Sequence, residues 1–372
     1  MEKKKKKATL YLPSELNTEI LLRLPVKSLI RLKSVCKSWF TLISDTNFAN
    51  SHFQFSESTQ TTRSRILSIS GLPPQIRSID FQALLNDNHS VSPNPNLSLP
   101  QSFFPLRIRG SCKGFIFLNC SAYNLLWNPS TGFHKQIPSS PNTRSLFGTN
   151  SNLYGFGYDH SRDDYLLVSL YCDALFAEDT SSPLEIFSLR DNIWKQIVDT
   201  HRYSCGYQNR KAGLLFNGAI HWFLTGWENV IVAFDLMERK LLKISLPDGL
   251  AFHLPDIRLW VFGEFLSLWA IMDGIVEIWV MKEYKVHSSW TKTLVFPIYD
   301  IRSFSHDIPY FSPIYSKKNG DIIGTIRGTG LAKYNSKGQL SGHCSYCDDS
   351  RGSQAVMYTE SLLSLPSDSK QV

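Results

Sequence analysis

Short β-forming runs separated by turn signals recur from Arg63 almost to the end of the chain. They are 4–8 residues long and rich in β-branched and aromatic residues, which is typical of strands. The dipeptides Asn217-Gly218, Asp273-Gly274 and Asn319-Gly320 are hairpin turn signals. Candidate strands cover residues 64–70, 77–83, 115–118, 123–127, 133–137, 153–158, 164–171, 184–189, 192–198, 213–216, 219–225, 230–235, 240–246, 258–263, 265–271, 274–281, 290–296, 322–326, 330–335, 340–344 and 354–359.

This number of strands is too large for one β-sandwich, and it divides into about five to six sheets of four strands. Two similar hairpins end at Trp222 and Trp269, about 47 residues apart. A period of about 40–50 residues with four strands per unit is the signature of a β-propeller. The sequence therefore predicts a mainly β protein with a large propeller-like domain of five to six blades.

Charge and cysteine content limit the class of protein. The net charge is +7, but the lysines of residues 3–7 and Glu2 contribute +4 of it, so the rest is nearly balanced and does not indicate a nucleic-acid binder. We interpret residues 1–8 as a disordered basic tail, with a nuclear-import signal at Lys3–Lys7 as the alternative. Seven cysteines in no paired pattern, with no signal peptide or bilayer-spanning run, predict a reduced cytoplasmic or nuclear protein.

The N-terminal segment differs from the rest, because its apolar residues recur at helical spacing. Leu16, Ile20 and Leu24 lie at i, i+4 and i+8, and Pro25 ends the first helical pattern. The pattern predicts three short helices between Leu12 and Phe53. A chain of about 40 residues rarely buries enough core alone, so we expect a partner to cover this module.

Two alternatives remain open for these helices. They could simply cap the β-domain. They could also form a helix-turn-helix DNA reader, since five basic residues and no acid lie between Glu19 and Asp45: Arg23, Lys27, Arg31, Lys33 and Lys37. Against DNA binding, no helix carries a cluster of side chains suited to base edges.

The same segment resembles an F-box in its motifs Leu12-Pro13, Arg23-Leu24-Pro25 and Val35-Cys36-Lys37-x-Trp39. F-box modules bind Skp1, the adaptor that links target receptors to a cullin–RING ubiquitin ligase. The resemblance assigns Skp1 contacts and helix packing to Leu12, Pro13, Leu16, Ile20, Leu24, Pro25, Leu29, Leu32, Val35, Cys36 and Trp39.

The remainder resembles the F-box-associated, kelch-like region of plant F-box proteins. The similar motifs are Cys112–Ile116, Leu126–Gly132, Tyr154–Asp159, Phe216–Trp222 and Ile231–Asp235. The predicted organisation is a tail at 1–8, an F-box at 9–53, a linker at 54–62, a β-propeller-like substrate-binding domain at 63–360 and a second tail at 361–372.

Several of these motifs have a structural meaning. Asn128–Gly132 predicts a turn, and Gly155 and Gly157 within a strand indicate close backbone approach or a bulge. Trp222, Trp269, Trp279 and Trp290 are expected to pack between blades. We expect Cys36 to pack in the F-box core rather than to act as a ubiquitin-accepting thiol.

No pattern indicates catalysis, a cofactor or a metal. Asp159, His160, Asp163 and Asp164 are interpreted as a solvated turn between strands. His343-Cys344-x-x-Cys347 has metal-like spacing, but zinc needs four ligands and no second pair follows. An enzyme or a lectin built on a propeller remains the alternative function, because the fold alone does not assign chemistry.

The predicted function is a non-catalytic substrate-recognition subunit of an SCF ubiquitin ligase. Its predicted partners are a Skp1-like adaptor, cullin and RING subunits reached through that adaptor, and a target protein, with neither nucleic acid nor membrane. Target-binding loops are expected at residues 86–105, 139–152, 172–183, 199–211 and 301–313. Candidate target contacts within or near them are Arg144, Tyr203, Tyr207 and Trp227.

Overall fold

Four helices open the part of the chain that the structure describes. The computed structural model describes residues 12–58, 64–71, 74–81, 106–120, 123–140, 152–171, 184–197, 212–224, 229–250, 256–272, 275–297, 311–317, 319–326, 330–345 and 353–365. The helices are α1 (Ser14–Leu22), α2 (Val26–Leu32), α3 (Lys37–Ser44) and α4 (Thr46–Ser58). Pro13 and Pro25 precede the first two, where the missing N–H and fixed φ of proline suit a helix start.

The fourth helix corrects the prediction of three helices and of a linker beginning at residue 54. Asp45 starts α4 by accepting a hydrogen bond from the Phe48 N–H at 3.0 Å. Its buried side chains recur at helical spacing, but they lie among Ser, Thr, Asn and Gln, whose low helix propensity hid the pattern. Residues 54–58 therefore belong to a helix, and we call residues 12–58 the helical module.

The rest of the described chain forms 23 strands in six antiparallel sheets. This confirms a mainly β fold with a propeller, at six blades. The strands are β1 (Ser64–Ser70), β2 (Gln75–Asp80), β3 (Arg107–Cys112), β4 (Phe115–Asn119), β5 (Asn124–Trp127), β6 (His134–Ile137), β7 (Asn152–Asp159), β8 (Asp164–Tyr171), β9 (Leu184–Ser188), β10 (Ile193–Ile197), β11 (Leu214–Phe216), β12 (Ala219–Leu224), β13 (Val230–Asp235), β14 (Lys240–Ile244), β15 (Asp256–Phe262), β16 (Phe265–Met272), β17 (Ile275–Met281), β18 (Trp290–Pro297), β19 (Phe311–Ser316), β20 (Ile322–Ile326), β21 (Gly330–Tyr334), β22 (Leu340–Ser345) and β23 (Ser353–Thr359).

Blade 1 closes the ring by joining the two ends of the β-domain. Its strand order is β2-β1-β23, and β23 pairs with β1 from Ser64↔Thr359 to Ser70↔Ser353. The other five blades each use four consecutive strands: β3–β6, β7–β10, β11–β14, β15–β18 and β19–β22. β23, the last of the described strands, therefore holds β1, the first strand of the propeller, in place.

The hydrophobic core lies between blades, as predicted for the tryptophans. Trp222 packs with Leu153 and Val168 of blade 3, and Trp269 contacts Phe311 of blade 6 at 6.5 Å between ring centroids. Trp279 and Trp290 pack in the cluster between blades 4 and 5. These rings exclude water from the interfaces that hold the ring together.

Glycines allow neighbouring blades to approach closely. A Cβ on Gly157 would lie 2.6 Å from Leu236 Cδ1, and one on Gly155 would collide with Ile220. Of the two predicted alternatives, close approach is the one found at these positions, and it is made by side chains of the neighbouring blade, since the pairing of β7 with β8 keeps its register through both glycines.

Two strands, β3 and β19, were not predicted from the sequence. β3 carries Arg, Gly and Ser, and β19 contains Pro313, so neither has a strand-like pattern, and β19 begins inside the predicted 301–313 loop. The pairing of β19 with β20 shifts register between Pro313 and Tyr315, as expected at a bulge.

The C-terminal segment predicted as a second tail is partly buried. Ser361, Leu363 and Leu365 are buried, so residues 361–365 are not a free tail.

Strand direction divides the propeller into two faces. The innermost strands β3, β7 and β11 end at the same face, which also carries the short turns that follow them, and we call it the turn face. Phe53 and Glu57 of α4 line a cleft of about 390 Å³ together with turn-face residues such as Lys113 and Gly218. The helical module therefore lies against the turn face.

The opposite face, which we call the loop face, carries the other strand ends. The strands that flank residues 141–151, 172–183, 198–211 and 298–310 end there. The strand ends that flank four of the five predicted target-binding segments thus lie on the face opposite the helical module. The exception is residues 86–105, because β2, the strand that precedes them, ends at the turn face, where Asp80 pairs with Arg65 beside Ser64.

Candidate functional site

Helix α1 exposes a row of apolar side chains. Leu12, just before the helix, is 56% exposed, and Leu16 and Ile20 are each 49% exposed. Their spacing of four residues places them on one side of the helix. Leu21, one position further on, is only 1% exposed and lies in the core of the module.

The exposed row continues beyond α1. Val35 between α2 and α3 is 62% exposed, Phe40 on α3 is 55% exposed and Ile30 on α2 is 37% exposed. We call these six residues, Leu12, Leu16, Ile20, Ile30, Val35 and Phe40, the exposed apolar set. Sequence reasoning missed Ile30 and Phe40, because helical periodicity identifies apolar positions but does not show which ones the module leaves uncovered.

The structure divides the predicted Skp1-binding residues into three groups. Exposed members are Leu12, Pro13, Leu16, Ile20, Pro25, Val35 and Cys36, and half-buried members are Leu24, Leu32 and Trp39. Leu29 is fully buried with Leu21, Ile43 and Phe48. Leu29 therefore packs the module from within rather than presenting a surface.

Cys36 lies at the surface, so the prediction that it packs in the core is wrong. It directly precedes α3, and its Sγ lies 3.1 Å from Ser38 Oγ. This hydrogen bond, together with the Trp39 and Ser38 backbone N–H groups, lowers the pKa of the Cys36 thiol. Cys36 precedes the first turn of α3, whereas Ile43, the buried residue of that helix, lies near its other end.

Positive charge borders the exposed apolar set. Arg23, Lys27, Arg31 and Lys37 are exposed, and no acidic residue lies between Glu19 and Asp45. Glu19 pairs with Arg23 at 2.6 Å, which leaves the other basic side chains to set the local potential. Such a surface complements a partner that is both apolar and acidic.

Helix α4 connects the helical module to the propeller. Ala49 and Phe53 belong to the same buried cluster as Phe115 and Leu126 of blade 2. The His52 ring lies 2.9 Å through Nε2 from the Leu24 carbonyl, which fixes α4 to the turn between α1 and α2. One face of α4, with Ala49 and Phe53, therefore packs on the propeller, and another face, with Phe48 and His52, packs on the other helices of the module.

The cleft beside α4 holds paired polar groups. The Lys113 ammonium lies 3.4 Å from the centre of the Tyr158 ring, and the Tyr158 hydroxyl donates to Asp163. Burial is the main cause that lowers the pKa of Lys113, and the nearby Cys112, Glu57 and Asp163 oppose it. These contacts are the kind that stabilise packing, and they form no nucleophile–base pair.

The turn between β7 and β8 is exposed at His160 and Asp163, as interpreted, but Asp159 and Asp164 at its two ends are buried, so the interpretation as a solvated turn is wrong for these two. Asp159 accepts hydrogen bonds from Ser161 and Arg162 and from Arg239 of blade 4 at 3.3 Å. Burial raises the pKa of Asp159, but these hydrogen bonds outweigh it and lower the pKa below its ordinary value. The turn is an anchor between two blades.

Among the described residues, no cluster of three His, Cys, Asp or Glu side chains could hold a metal ion. His343 and Cys344 lie on β22, and Cys347 lies outside the described residues. Across the described helices, none has the length and apolar character needed to cross a membrane. Arg144, Tyr203, Tyr207 and Trp227 also lie outside the described residues, as does the basic tail.

Comparison with known families agrees with this division of the chain. The F-box domain matches residues 10–50, and the F-box associated beta propeller domain matches residues 63–320. The chain is similar to the F-box protein CPR1 of Arabidopsis thaliana, with 30% identity over 86% of this chain and 81% of that protein. It is also similar to the Arabidopsis thaliana F-box/kelch-repeat protein At3g23880, with 29% identity over 77% of this chain and 79% of that protein.

Similarity to solved structures is more distant than similarity to these relatives. Apo AztD from Citrobacter koseri has 12% identity and a TM-score of 0.41, over 81% of this chain and 100% of that chain. The family matches cover residues 12–50 of the helical module and most of the propeller. This chain therefore belongs to the F-box proteins whose F-box is followed by an F-box associated β-propeller domain.

Proposed function

We propose that this protein is the non-catalytic target-recognition subunit of an SCF-type ubiquitin ligase. The observation that carries the proposal is the exposed apolar set, which a module of residues 12–58 leaves uncovered. A Skp1-type adaptor is the partner that membership of the F-box proteins suggests. Cullin and RING subunits would be reached through that adaptor.

The chemistry of the exposed apolar set supports tight docking. Burying a large apolar side chain that is otherwise exposed contributes about 1.5–3 kcal/mol, and a few such residues usually dominate an interface. Arg31 and Lys37 add long-range attraction for an acidic adaptor surface. We therefore expect affinity to depend on apolar anchors and association rate to depend on salt.

Target recognition belongs to the loop face in this proposal. The strand ends that flank residues 141–151, 172–183 and 198–211 lie opposite α4, so an adaptor on the helical module leaves that face open. Ubiquitin transfer would then follow from proximity, because holding a target lysine near the loaded enzyme raises its effective concentration. Arg144, Tyr203, Tyr207 and Trp227 remain candidates for the target contact.

The adaptor proposal is tested by binding of the full chain to a purified Skp1-type adaptor. Leu16→Asp combined with Ile20→Asp is expected to weaken binding at least about 100-fold, since two apolar anchors are replaced by charges. Ile193→Asp is the matched control, because Ile193 is equally exposed, at 48%, but lies on β10 of the propeller. Undiminished binding by the double variant, or an equal loss in the control, would contradict the docking assignment.

The target proposal needs a separate measurement. Proteins that accumulate on the chain only when cullin activation is inhibited are candidate targets. Tyr203→Ala with Trp227→Ala is expected to lose those proteins while retaining the adaptor. If the variant retained those proteins as well as the adaptor, the target contact would lie elsewhere.

A further inference from the structure

The segment that follows β23 lies between the helical module and the propeller. Residues 361–365 have no regular secondary structure, yet Ser361, Leu363 and Leu365 are at most 7% exposed. We call residues 361–365 the strap. A short non-sheet segment with alternate buried side chains must be held by side-chain contacts and specific hydrogen bonds.

Asn128 provides those hydrogen bonds. Its side-chain amide donates to the Ser361 carbonyl at 3.0 Å and to the Leu363 carbonyl at 3.4 Å, and Asn128 is fully buried. Ser130 accepts from the Ser361 N–H at 3.3 Å. The Asn128–Gly132 turn is therefore a binding element for the strap as well as a connection between β5 and β6.

The path of the strap is also constrained where it leaves β23. Gly114 has φ +81°, and a Cβ at this position would lie 2.9 Å from the Thr359 carbonyl oxygen and would collide with Ser361. The turn of blade 2 thus needs glycine both for its backbone and for space. The strap runs directly across this turn.

The side chains of the strap contact both domains. Leu362 packs against the core of the helical module formed by Leu21, Leu29, Ile43 and Phe48. Leu363 and Leu365 join Ala49 and Phe53 of α4 and Phe115 of blade 2 in one buried cluster. The strap therefore fills the apolar gap between α4 and the propeller.

We propose that the strap, held by Asn128, fixes the orientation of the F-box on the propeller and makes the two domains one rigid body. Domains in one chain are expected to move relative to each other unless a large apolar contact joins them, and the strap extends that contact. Given the proposed function, the strap sets the direction in which the loop face presents a target to the ubiquitin-carrying enzyme. Asn128 is a positioning residue, since it acts through the strap.

Distance measurement between two spin labels tests the strap in the full chain without any partner. Labels on non-natural side chains at Lys27 of α2 and Glu264 of the β15–β16 turn report on the angle between the domains, and both positions are exposed. In a chain that ends after Glu360, the distance distribution is expected to be wider by about twofold or more. The reason is that the apolar side chains of the strap no longer pack between α4 and the propeller. The matched control ends after Leu365, keeps the strap and is expected to give the wild-type distribution.

Point variants keep the proposal testable if the shortened chain does not fold. Asn128→Asp preserves size and the acceptor for the Ser130 N–H, but it places a carboxylate against two carbonyls. Leu362→Ser removes the contact with the helical module. Both are expected to broaden the distribution without changing the far-ultraviolet circular dichroism of the folded chain, whereas Ser364→Asp on the exposed side of the strap is expected to leave the distribution unchanged.

The outcomes separate this inference from the proposed function. The role of the strap would be overturned if the chain ending after Glu360, or both point variants, gave a spin-label distance distribution as narrow as that of the wild type. Adaptor binding by these variants is expected to be unchanged, because the exposed apolar set is not altered. Failure of the wild-type chain to bind the adaptor would remove the proposed function and leave the distance result intact.

Discussion

The helical module and the propeller treat their large apolar side chains differently. Among the described residues, each region exposes six large apolar side chains. Those of the module lie within residues 12–58, whereas those of the propeller are spread from Ile193 to Leu340. The propeller buries its apolar residues between blades and closes on itself through β23. The module has only a small core of its own, so it keeps a concentrated apolar surface for another protein.

The largest expected effect is at the blade interfaces. Trp269→Ala is expected to lower the free energy of unfolding by about 3–5 kcal/mol, because it leaves a cavity between blades 5 and 6. Urea denaturation followed by circular dichroism measures it. A loss below about 1 kcal/mol would mean that the blades collapse to fill the space and that their packing is less specific than the structure indicates.

A pH titration tests how completely the propeller interior excludes charge. His221 is 1% exposed, and burial lowers its pKa to about 4, while its Nε2 lies 2.8 Å from the Tyr284 hydroxyl. The unfolded chain binds this proton near pH 6.5, so the stabilisation is complete above that pH and falls as the pH drops towards 4.

Between pH 7 and pH 4.5 this loss amounts to about 2–3 kcal/mol. Urea midpoints of the wild type and of His221→Gln across this range provide the measurement, and the variant is expected to show a shallower slope below pH 6.5. Parallel slopes for the two proteins would show that His221 binds its proton equally well in the folded and unfolded chains, and so that burial does not lower its pKa.

Close approach between blades predicts a smaller effect at a glycine. Gly157→Ala is expected to cost about 1–3 kcal/mol, because the new methyl group meets Leu236 of the neighbouring blade. Leu236→Ala in the same chain is expected to remove part of that cost, which a double-mutant cycle measures. If the changes in the free energy of unfolding of the two single variants simply added in the double variant, the cost of Gly157→Ala would not come from contact with Leu236.

The smallest effect on stability is expected on the exposed apolar set. Phe40→Ala is expected to change the free energy of unfolding by less than about 0.5 kcal/mol and to weaken adaptor binding by about tenfold or more. Met237→Ala, at a similarly exposed propeller residue, is the control and is expected to change neither quantity. If Phe40→Ala unfolded the module, the contrast between the two regions would be lost.

Local patterns were enough to predict three helices and most strands. Periodic apolar residues marked α1–α3, and short β-forming runs such as residues 64–70 and 164–171 matched β1 and β8. The same patterns failed where packing partners decide the structure. α4 is polar in composition, and the innermost strand β19 includes Pro313, which is tolerated because β19 is an edge strand of its sheet with a register shift at that point.

The candidate site was predictable in type but not in detail. Motifs placed Leu16 and Ile20 in a docking surface, whereas the exposure of Phe40 and the burial of Leu29 depend on how the helices pack. The bond from Asn128 to Ser361 joins positions 233 residues apart, so no local signal could show it. Sequence reasoning therefore recognised the Asn128–Gly132 turn but not what it holds.

Ring closure by β23 has a consequence for synthesis of the protein. Blade 1 needs residues 353–359, so the ring stays open while the ribosome makes the preceding stretch from β1. At about 5–20 residues per second, roughly 300 residues take about 15–60 s, during which unpaired strand edges and apolar blade faces are accessible to chaperones. Nonsense mutations upstream of Ser353 should therefore yield incomplete rings that are degraded or aggregate, even though the N-terminal helices have already been made.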